Sequence, residues 1–317
     1  MPRCPRDDEH HPDGRCGISG SGCAALGVPG PGSRPDQCHG RGWSGHRARH
    51  GEAIPNSAEE ANLNAIAMSD RATPAAPART AAVIPAAGRG IRLGPGAPKA
   101  LRALSGTPML VHAVRAMAAS RAVSLVVVVA PPEGAAEVRS LLDEFPLGER
   151  TEVLVVPGGA TRQESVRLGL AALPDDVTAV LVHDAARPLV PVDTVDAVAA
   201  AVRDGAPAVV PALPLADTVK QVEPREDGPE PVVATPDRAL LRAVQTPQGF
   251  DRATLQEAHD KTVFDGEGAT DDAGMVERLG VEVVVVPGHE EAFKVTRPLD
   301  LVLAEAVLAR RRANDGF

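Results

Sequence analysis

From Thr80 onward, short apolar runs rich in β-branched residues alternate with segments of helical spacing, and this alternation is the strongest constraint on the fold. The runs Ala81 to Pro85, Ser124 to Ala130, Glu152 to Val156, Ala179 to Val182 and Ala208 to Val210 are apolar on both faces, not on every second residue. Strands of that kind are covered on both sides, as in a parallel sheet between layers of helices. The pattern therefore predicts an α/β class with a mostly parallel sheet flanked by helices. Between the first two runs, Thr107 is expected to cap a helix that opens on Pro108 and carries Leu110, Val111, Val114 and Met117 as one apolar stripe. A last helix from Pro298 would pack Leu299, Val302, Leu303 and Ala306 against the domain, with Arg310, Arg311 and Arg312 at the negative end of its dipole.

In an open parallel sheet, ligands bind beyond the carboxyl ends of the strands, and the conspicuous residues fall there. After the first run comes Pro85-Ala86-Ala87-Gly88-Arg89-Gly90-Ile91-Arg92-Leu93-Gly94, then Pro98 and Lys99. Small side chains let backbone amides approach a phosphate chain, and Arg92 and Lys99 supply charge to neutralise it. Leu93 stands where a dinucleotide loop needs its third glycine, and no Lys follows glycine as in a P-loop, so both of those readings fall away. A plain strand-to-helix turn with solvated cations is the alternative. After the third run, Pro157-Gly158-Gly159-Ala160-Thr161-Arg162-Gln163-Glu164-Ser165-Val166 is a second glycine turn, where Ser165 and backbone groups could read the polar edge of a base. After the fourth, His183-Asp184-Ala185-Ala186-Arg187-Pro188 sets a carboxylate and a guanidinium three residues apart. One Asp beside substrate phosphates is a usual way to hold Mg²⁺, and Arg suits a second phosphate; a structural Asp184 to Arg187 ion pair is the alternative. His183 has no second His at metal spacing and reads as a packed, hydrogen-bonded core residue.

The first part of the chain is different in kind. All four cysteines and the only tryptophan lie within the first 43 residues, and no pair has Cys-x-x-Cys spacing. Residues 1–79 read as a disordered leader and linker, rich in Gly, Pro, Arg, Ser and Ala and without period, in preference to a zinc or disulfide framework. Met68 opens Met68-Ser69-Asp70-Arg71 before a Pro/Ala linker, which predicts that translation begins there and that residues 1 to 67 are a start-site artefact. Peptides from that stretch in the native protein would overturn this. Over the whole chain, 33 Lys and Arg against 42 Asp and Glu leave a net charge of −9, which argues against general nucleic-acid binding. No apolar run approaches the roughly 20 residues that span a bilayer, and the start has no signal-peptide stretch, so a cytoplasmic location is expected.

Taken in chain order, Ala-Ala-Gly-x-Gly-x-Arg with Pro98-Lys99, the Gly-Gly-x-x-Arg-x-x-Ser-Val turn, His-Asp-Ala-Ala-Arg-Pro, Asp217-Thr218-Val219-Lys220, Thr246-Pro247-Gln248 and Lys294-Val295-Thr296-Arg297-Pro298 resemble the 2-C-methyl-D-erythritol 4-phosphate cytidylyltransferase family. The resemblance covers about residues 80 to 312. It implies a Rossmann-like nucleotidyltransferase fold and transfer of CMP from CTP to methylerythritol phosphate in isoprenoid precursor synthesis. It also implies a homodimer joined by a protruding β-arm at about residues 215–245. In this light Arg92 and Lys99 are the expected catalytic cations. Pro85, Ala86, Ala87, Gly88, Gly90, Gly159, Ser165 and Ala185 would hold the nucleotide, Arg187, Thr218, Arg238 and Lys294 the polyol phosphate, and Asp184 a Mg²⁺ ion. The arm's text agrees, with strand-like Thr218 to Val222 and Pro231 to Ala234 around a polar turn. Two departures stand out. Ala292 replaces a common Asn, which would loosen that loop while keeping the Lys294 cation, and Ala100-Leu101 replace a Gln and an aromatic. A cytidylyltransferase for another polyol phosphate such as ribitol 5-phosphate is the nearest alternative. A molybdopterin nucleotidyltransferase would leave two motifs unexplained, and a non-catalytic nucleotide-binding regulator is the rival of another class.

Overall fold

The computed structural model describes residues 79–88, 98–147, 150–262 and 270–315. The leader, Gly90, Arg92 and the turn around them lie outside the described residues. In chain order the elements are β1 (Arg79–Pro85), β2 (Ala103–Leu104), β3 (Thr107–Pro108), α1 (Met109–Ala119), β4 (Val123–Ala130), α2 (Ala135–Asp143), β5 (Glu152–Pro157), α3 (Arg162–Ala171), β6 (Val177–Val182) and α4 (Val192–Arg203). They continue with β7 (Ala208–Pro214), β8 (Gln221–Val222), β9 (Val232–Ala234), β10 (Arg242–Val244), β11 (Gln248–Asp251), α5 (Arg252–Thr262), α6 (Asp272–Arg278), β12 (Val284–Pro287) and α7 (Pro298–Asp315).

The main sheet runs β10, β7, β11, β6, β1, β4, β5, with β12 paired to β7. The strands around β1 are parallel, and so is β12 on β7; β11 is antiparallel to both β6 and β7, and β10 is antiparallel to β7. All five anticipated runs are strands, within a sheet that is mixed at one side. Alternate residues of the central strands feed opposite layers. Ala82 and Ile84 join Val126 and Val128 under α1, α2 and α4, whereas Ala81 and Val83 join Leu125 and Val127 under α3, α5 and α6. This is why the runs are apolar at successive positions. β11 escaped the sequence pattern because it contains a glycine. A Cβ on Gly249 would stand 2.5 Å from Val198 of α4, so the helix lies directly on the strand there.

Two expectations about helices change. Thr107 does not cap α1: it pairs with Leu104 in a two-residue hairpin whose turn residues Ser105 and Gly106 both have positive φ. Pro108 takes the cap position without a side-chain bond, and the expected stripe on α1 is buried. The apolar face expected to pack on α7 is solvent-facing, with Leu299 75% and Val302 62% exposed. The helix instead packs its neighbouring stripe, Leu301, Ala304, Val307 and Leu308, against Leu104, Met109, Leu189 and Val295. Both stripes have helical spacing, so periodicity alone does not choose between them. Arg310 and Arg311 pair with Glu291, and Arg311 also donates to the Leu189 carbonyl.

Candidate active site

The chain runs from β1 through β4 to β5 on one side, then returns to place β6 on the other side of β1. Loops leaving the carboxyl ends of β1 and β6 therefore diverge, and a crevice opens at this switch point. A cleft of about 280 Å³ lies there. Its walls are the Pro85 to Gly88 turn, Lys99, the Gly159 to Arg162 turn with Ser165, the Asp184 to Ala186 turn, and Lys294.

Asp184 is placed by hydrogen bonds behind it. Its N–H donates to Oγ1 of Thr246 at 3.0 Å, and the same oxygen lies 3.0 Å from Nδ1 of His183. Nε2 of His183 lies 3.1 Å from the Arg187 carbonyl, which can only accept, so Nε2 carries the proton and the Thr246 hydroxyl donates to Nδ1. Burial drives the pKa of His183 down to about 4, and the imidazole is a neutral, fully enclosed brace. The core reading of this histidine from the sequence is the one observed.

The carboxylate of Asp184 faces three cations. Nζ of Lys294 is 2.7 Å from Oδ2, Nε of Arg162 is 3.6 Å from Oδ1, and Nε of Arg187 is 3.9 Å from Oδ2. Burial would raise its pKa, but Lys294 and Arg162 outweigh that and hold it at about 2. Arg187 serves mainly as a strut. Its Nη1 donates to the Ala292 carbonyl at 2.7 Å and its Nη2 to the Val244 carbonyl at 3.3 Å, while burial lowers its pKa. With Val295 N–H bonded to the Ala186 carbonyl, the segment carrying Lys294 is tied on both sides. Ala292 is fully buried, its small side chain packed in the core at the start of this segment.

The second glycine turn is a helix cap. Oγ1 of Thr161, the N-cap, accepts from the Glu164 N–H, and the Glu164 carboxylate folds back past the cap to accept from the Ala160 N–H, one residue earlier than a capping box would have it. Gly159 is required by that fold-back, because a Cβ there would overlap the Glu164 side chain at 2.2 Å. Oγ of Ser165 donates to the Thr161 carbonyl and accepts from Gly159 N–H. Its hydroxyl thus shapes the turn from beneath.

Behind the cleft lies a charge chain that the sequence reading did not assign. Nη2 of Arg162 is 2.7 Å from Oδ2 of Asp272, whose Oδ1 is 3.0 Å from Nε2 of His259. Asp272 and His259 are buried at the start of α6 and on α5. Burial opposes ionisation of Asp272, but His259 and Arg162 hold its pKa below the ordinary carboxylate range, and Asp272, with Asp184 and Asp271, raises that of Arg162 against its own burial. The signal available was an acidic pair after a gap in the helical pattern, with nothing to say which basic group it would meet.

Residues 80–310 match the 2-C-methyl-D-erythritol 4-phosphate cytidylyltransferase family. A 2-C-methyl-D-erythritol 4-phosphate cytidylyltransferase of Streptomyces avermitilis is 79% identical over 253 residues, covering 79% of this chain and all of the relative. That of Streptomyces coelicolor is 80% identical over 243 residues, covering 76% of this chain and 89% of the relative. The chain belongs to this family. Among solved structures, the cytidylyltransferase of Thermus thermophilus is similar with a TM-score of 0.57 at 39% identity, over 72% of this chain and 98% of the other. The 4-diphosphocytidyl-2C-methyl-D-erythritol synthase of Anaerococcus prevotii gives 0.63 at 26%, over 73% and 96%.

Of the residues the family resemblance singled out, Pro85, Ala86, Ala87, Gly88, Lys99, Gly159, Ser165, Asp184, Ala185 and Lys294 come together on the cleft. Arg187 is not among the lining residues, though its Nε lies 3.9 Å from Oδ2 of Asp184. Thr218 and Arg238 do not line it: both are exposed, on the segment holding the β8–β9 hairpin, and Nη1 of Arg238 donates to the Ala216 carbonyl.

Proposed function

We propose that this chain transfers CMP from CTP to 2-C-methyl-D-erythritol 4-phosphate, giving 4-diphosphocytidyl-2-C-methyl-D-erythritol and pyrophosphate. The observation that carries the reading is the cleft at the β1/β6 switch point, where a small-residue turn, Lys99 and the Asp184–Lys294 pair face one space. A phosphate oxygen of the polyol phosphate attacks the α-phosphorus in line, the new P–O bond forms, and the bond to the β-phosphate oxygen breaks with its electron pair leaving on pyrophosphate. No covalent enzyme intermediate is required. Lys99 stabilises charge on the α-phosphate, and Arg92, by its place in the motif, shares that task. The Pro85 to Gly88 turn, Gly159, Ser165 and Ala185 enclose the nucleotide, while Lys294 is set to meet a phosphate. Arg187 acts through the loop it ties, and Thr218 and Arg238 act from the arm.

Among the described residues no cluster of three or more His, Cys, Asp or Glu could hold a metal. The donor set fits a Mg²⁺ ion that is carried largely by substrate phosphates and water and touches one carboxylate, Asp184. Such an ion would offset charge between the phosphates of bound CTP. The enzyme would work as a homodimer in the cytoplasm. Exposed Val232, Val233, Leu240 and Val244 in and around the arm support a second copy as cover, since a lone two-stranded hairpin is marginal in water. No helix among the described residues is long and apolar enough to cross a membrane. Pyrophosphate release, assayed with CTP and a panel of polyol phosphates, tests the function. Turnover confined to methylerythritol phosphate supports it, and a preference for ribitol 5-phosphate would replace the substrate.

A further inference from the structure

Among the described residues, Asp272 and His259 are the most deeply buried ionisable pair outside the cleft, at 0% and 1% exposed, and neither lines the cleft. Burying a carboxylate is costly unless its oxygens are paired. Here Oδ1 is hydrogen-bonded to His259, while Oδ2 makes a 2.7 Å ion-pair contact with Nη2 of Arg162 that is not aligned as a hydrogen bond. A carboxylate can only accept, so Nε2 of His259 donates to Oδ1 and leaves Oδ2 on the side of Arg162. The neighbouring Asp271 is occupied elsewhere: it caps Gly274 N–H and accepts from Nε2 of Gln248. Gln248 also accepts from Ala273 N–H, so β11 fixes the start of α6.

The consequence falls on Arg162, which lines the cleft. Its Nη2 is taken by Asp272, and only its Nε side faces Asp184, at 3.6 Å. Without Asp272 the guanidinium would be free to turn its fork onto Asp184, where bidentate pairing is favourable. It would then leave its place in the wall and compete with Lys294 for the same carboxylate. We infer that Asp272, braced by His259, is a positioning residue that holds Arg162 in the wall of the CTP site and keeps it from closing on Asp184. The inference rests on the reading that this cleft takes CTP.

The test is a double-substitution cycle on the full chain, with CTP affinity measured by calorimetry in Mg²⁺. By charge count alone, Asp272→Asn removes a negative group near a polyanion site and should tighten CTP. Positioning demands the opposite: a loss of about tenfold or more, matched by Arg162→Ala, with the double variant no more than about twofold weaker than Arg162→Ala alone. His259→Leu should give a smaller loss in the same direction, and His259→Gln, which keeps a donor, should recover most of it. If Asp272→Asn does not fold, as judged by its thermal melt, His259→Leu crossed with Arg162→Ala carries the same cycle. Losses that multiply, or an Asp272→Asn chain that binds CTP as well as the parent or better, overturn the inference. A parent chain that binds no CTP overturns the reading of the cleft instead.

Discussion

Nζ of Lys294 lies 2.7 Å from Oδ2 of Asp184, joining the turn after β6 to the segment before α7 across more than a hundred residues of chain. The carboxylate is only 12% exposed, so removing its partner leaves a charge that water reaches poorly.

An acid-stability prediction follows from the sign of the shift. The folded-state pKa of Asp184, about 2, lies below its ordinary 3.8, so the ionised group adds stability above 3.8 and loses it as pH falls through about 2. Lys294→Met should move that acid limb to higher pH. Melting temperatures between pH 2 and 6 check it, and superimposable acid limbs would count against the pair.

His183 predicts a second window. Its pKa of about 4 lies below the ordinary 6.5, so the unfolded chain takes up the proton first. Its share of stability is complete above 6.5 and falls away between 6.5 and about 4, by an order of about 3 kcal/mol. His183→Gln should flatten the dependence of stability on pH across that window in denaturant titrations; a curve parallel to the parent's would refute a neutral brace.

For the chemistry, Lys99→Ala should lose on the order of 10² or more in kcat while CTP still binds, because the cation acts on charge that grows at the α-phosphate. Turnover near that of the parent would remove Lys99 from the reaction.

Asp184→Asn should raise the Mg²⁺ concentration needed for half-maximal turnover, since among the described cleft residues it is the one carboxylate facing the space. An unaltered Mg²⁺ titration would mean that substrate phosphates alone carry the ion.

Much of this was readable from sequence where the residues act through backbone-local rules. The strand runs, the α1 stripe and the second glycine turn depend on neighbours a few positions away, and they stand where the pattern put them. What sequence did not reveal depends on partners far along the chain. Nothing local distinguishes Asp272 from Asp271, yet one reaches Arg162 and the other caps its own helix. The same holds for α7, where two adjacent stripes are equally periodic and only Leu104, Met109 and Leu189 decide which one is covered. Arg187 reads as a phosphate ligand by motif, but its bonds go to two carbonyls that no spacing announces.

The arm yields a complementation test. If Arg238 completes the partner subunit's site, Lys99→Ala and Arg238→Ala homodimers should each be nearly inactive, and refolding them in equal amounts should restore roughly a quarter of parental activity. Half of randomly paired dimers are mixed, and each mixed dimer has one intact site. A mixture as inactive as its parents, with subunit exchange demonstrated, would mean that Arg238 serves its own chain.

Arg187 also decides how this enzyme can be recombined with its relatives. Its two Nη groups join Val244, on the strand by which the arm re-enters the sheet, to Ala292, on the lysine segment. A chimera that exchanges the arm with a crossover beyond Val244 would bring in a foreign backbone course on one side of a guanidinium whose other side is native. The transplantable unit is therefore three separated stretches, around 187, 244 and 292, and crossovers that keep them from one parent should be the ones that yield active hybrids.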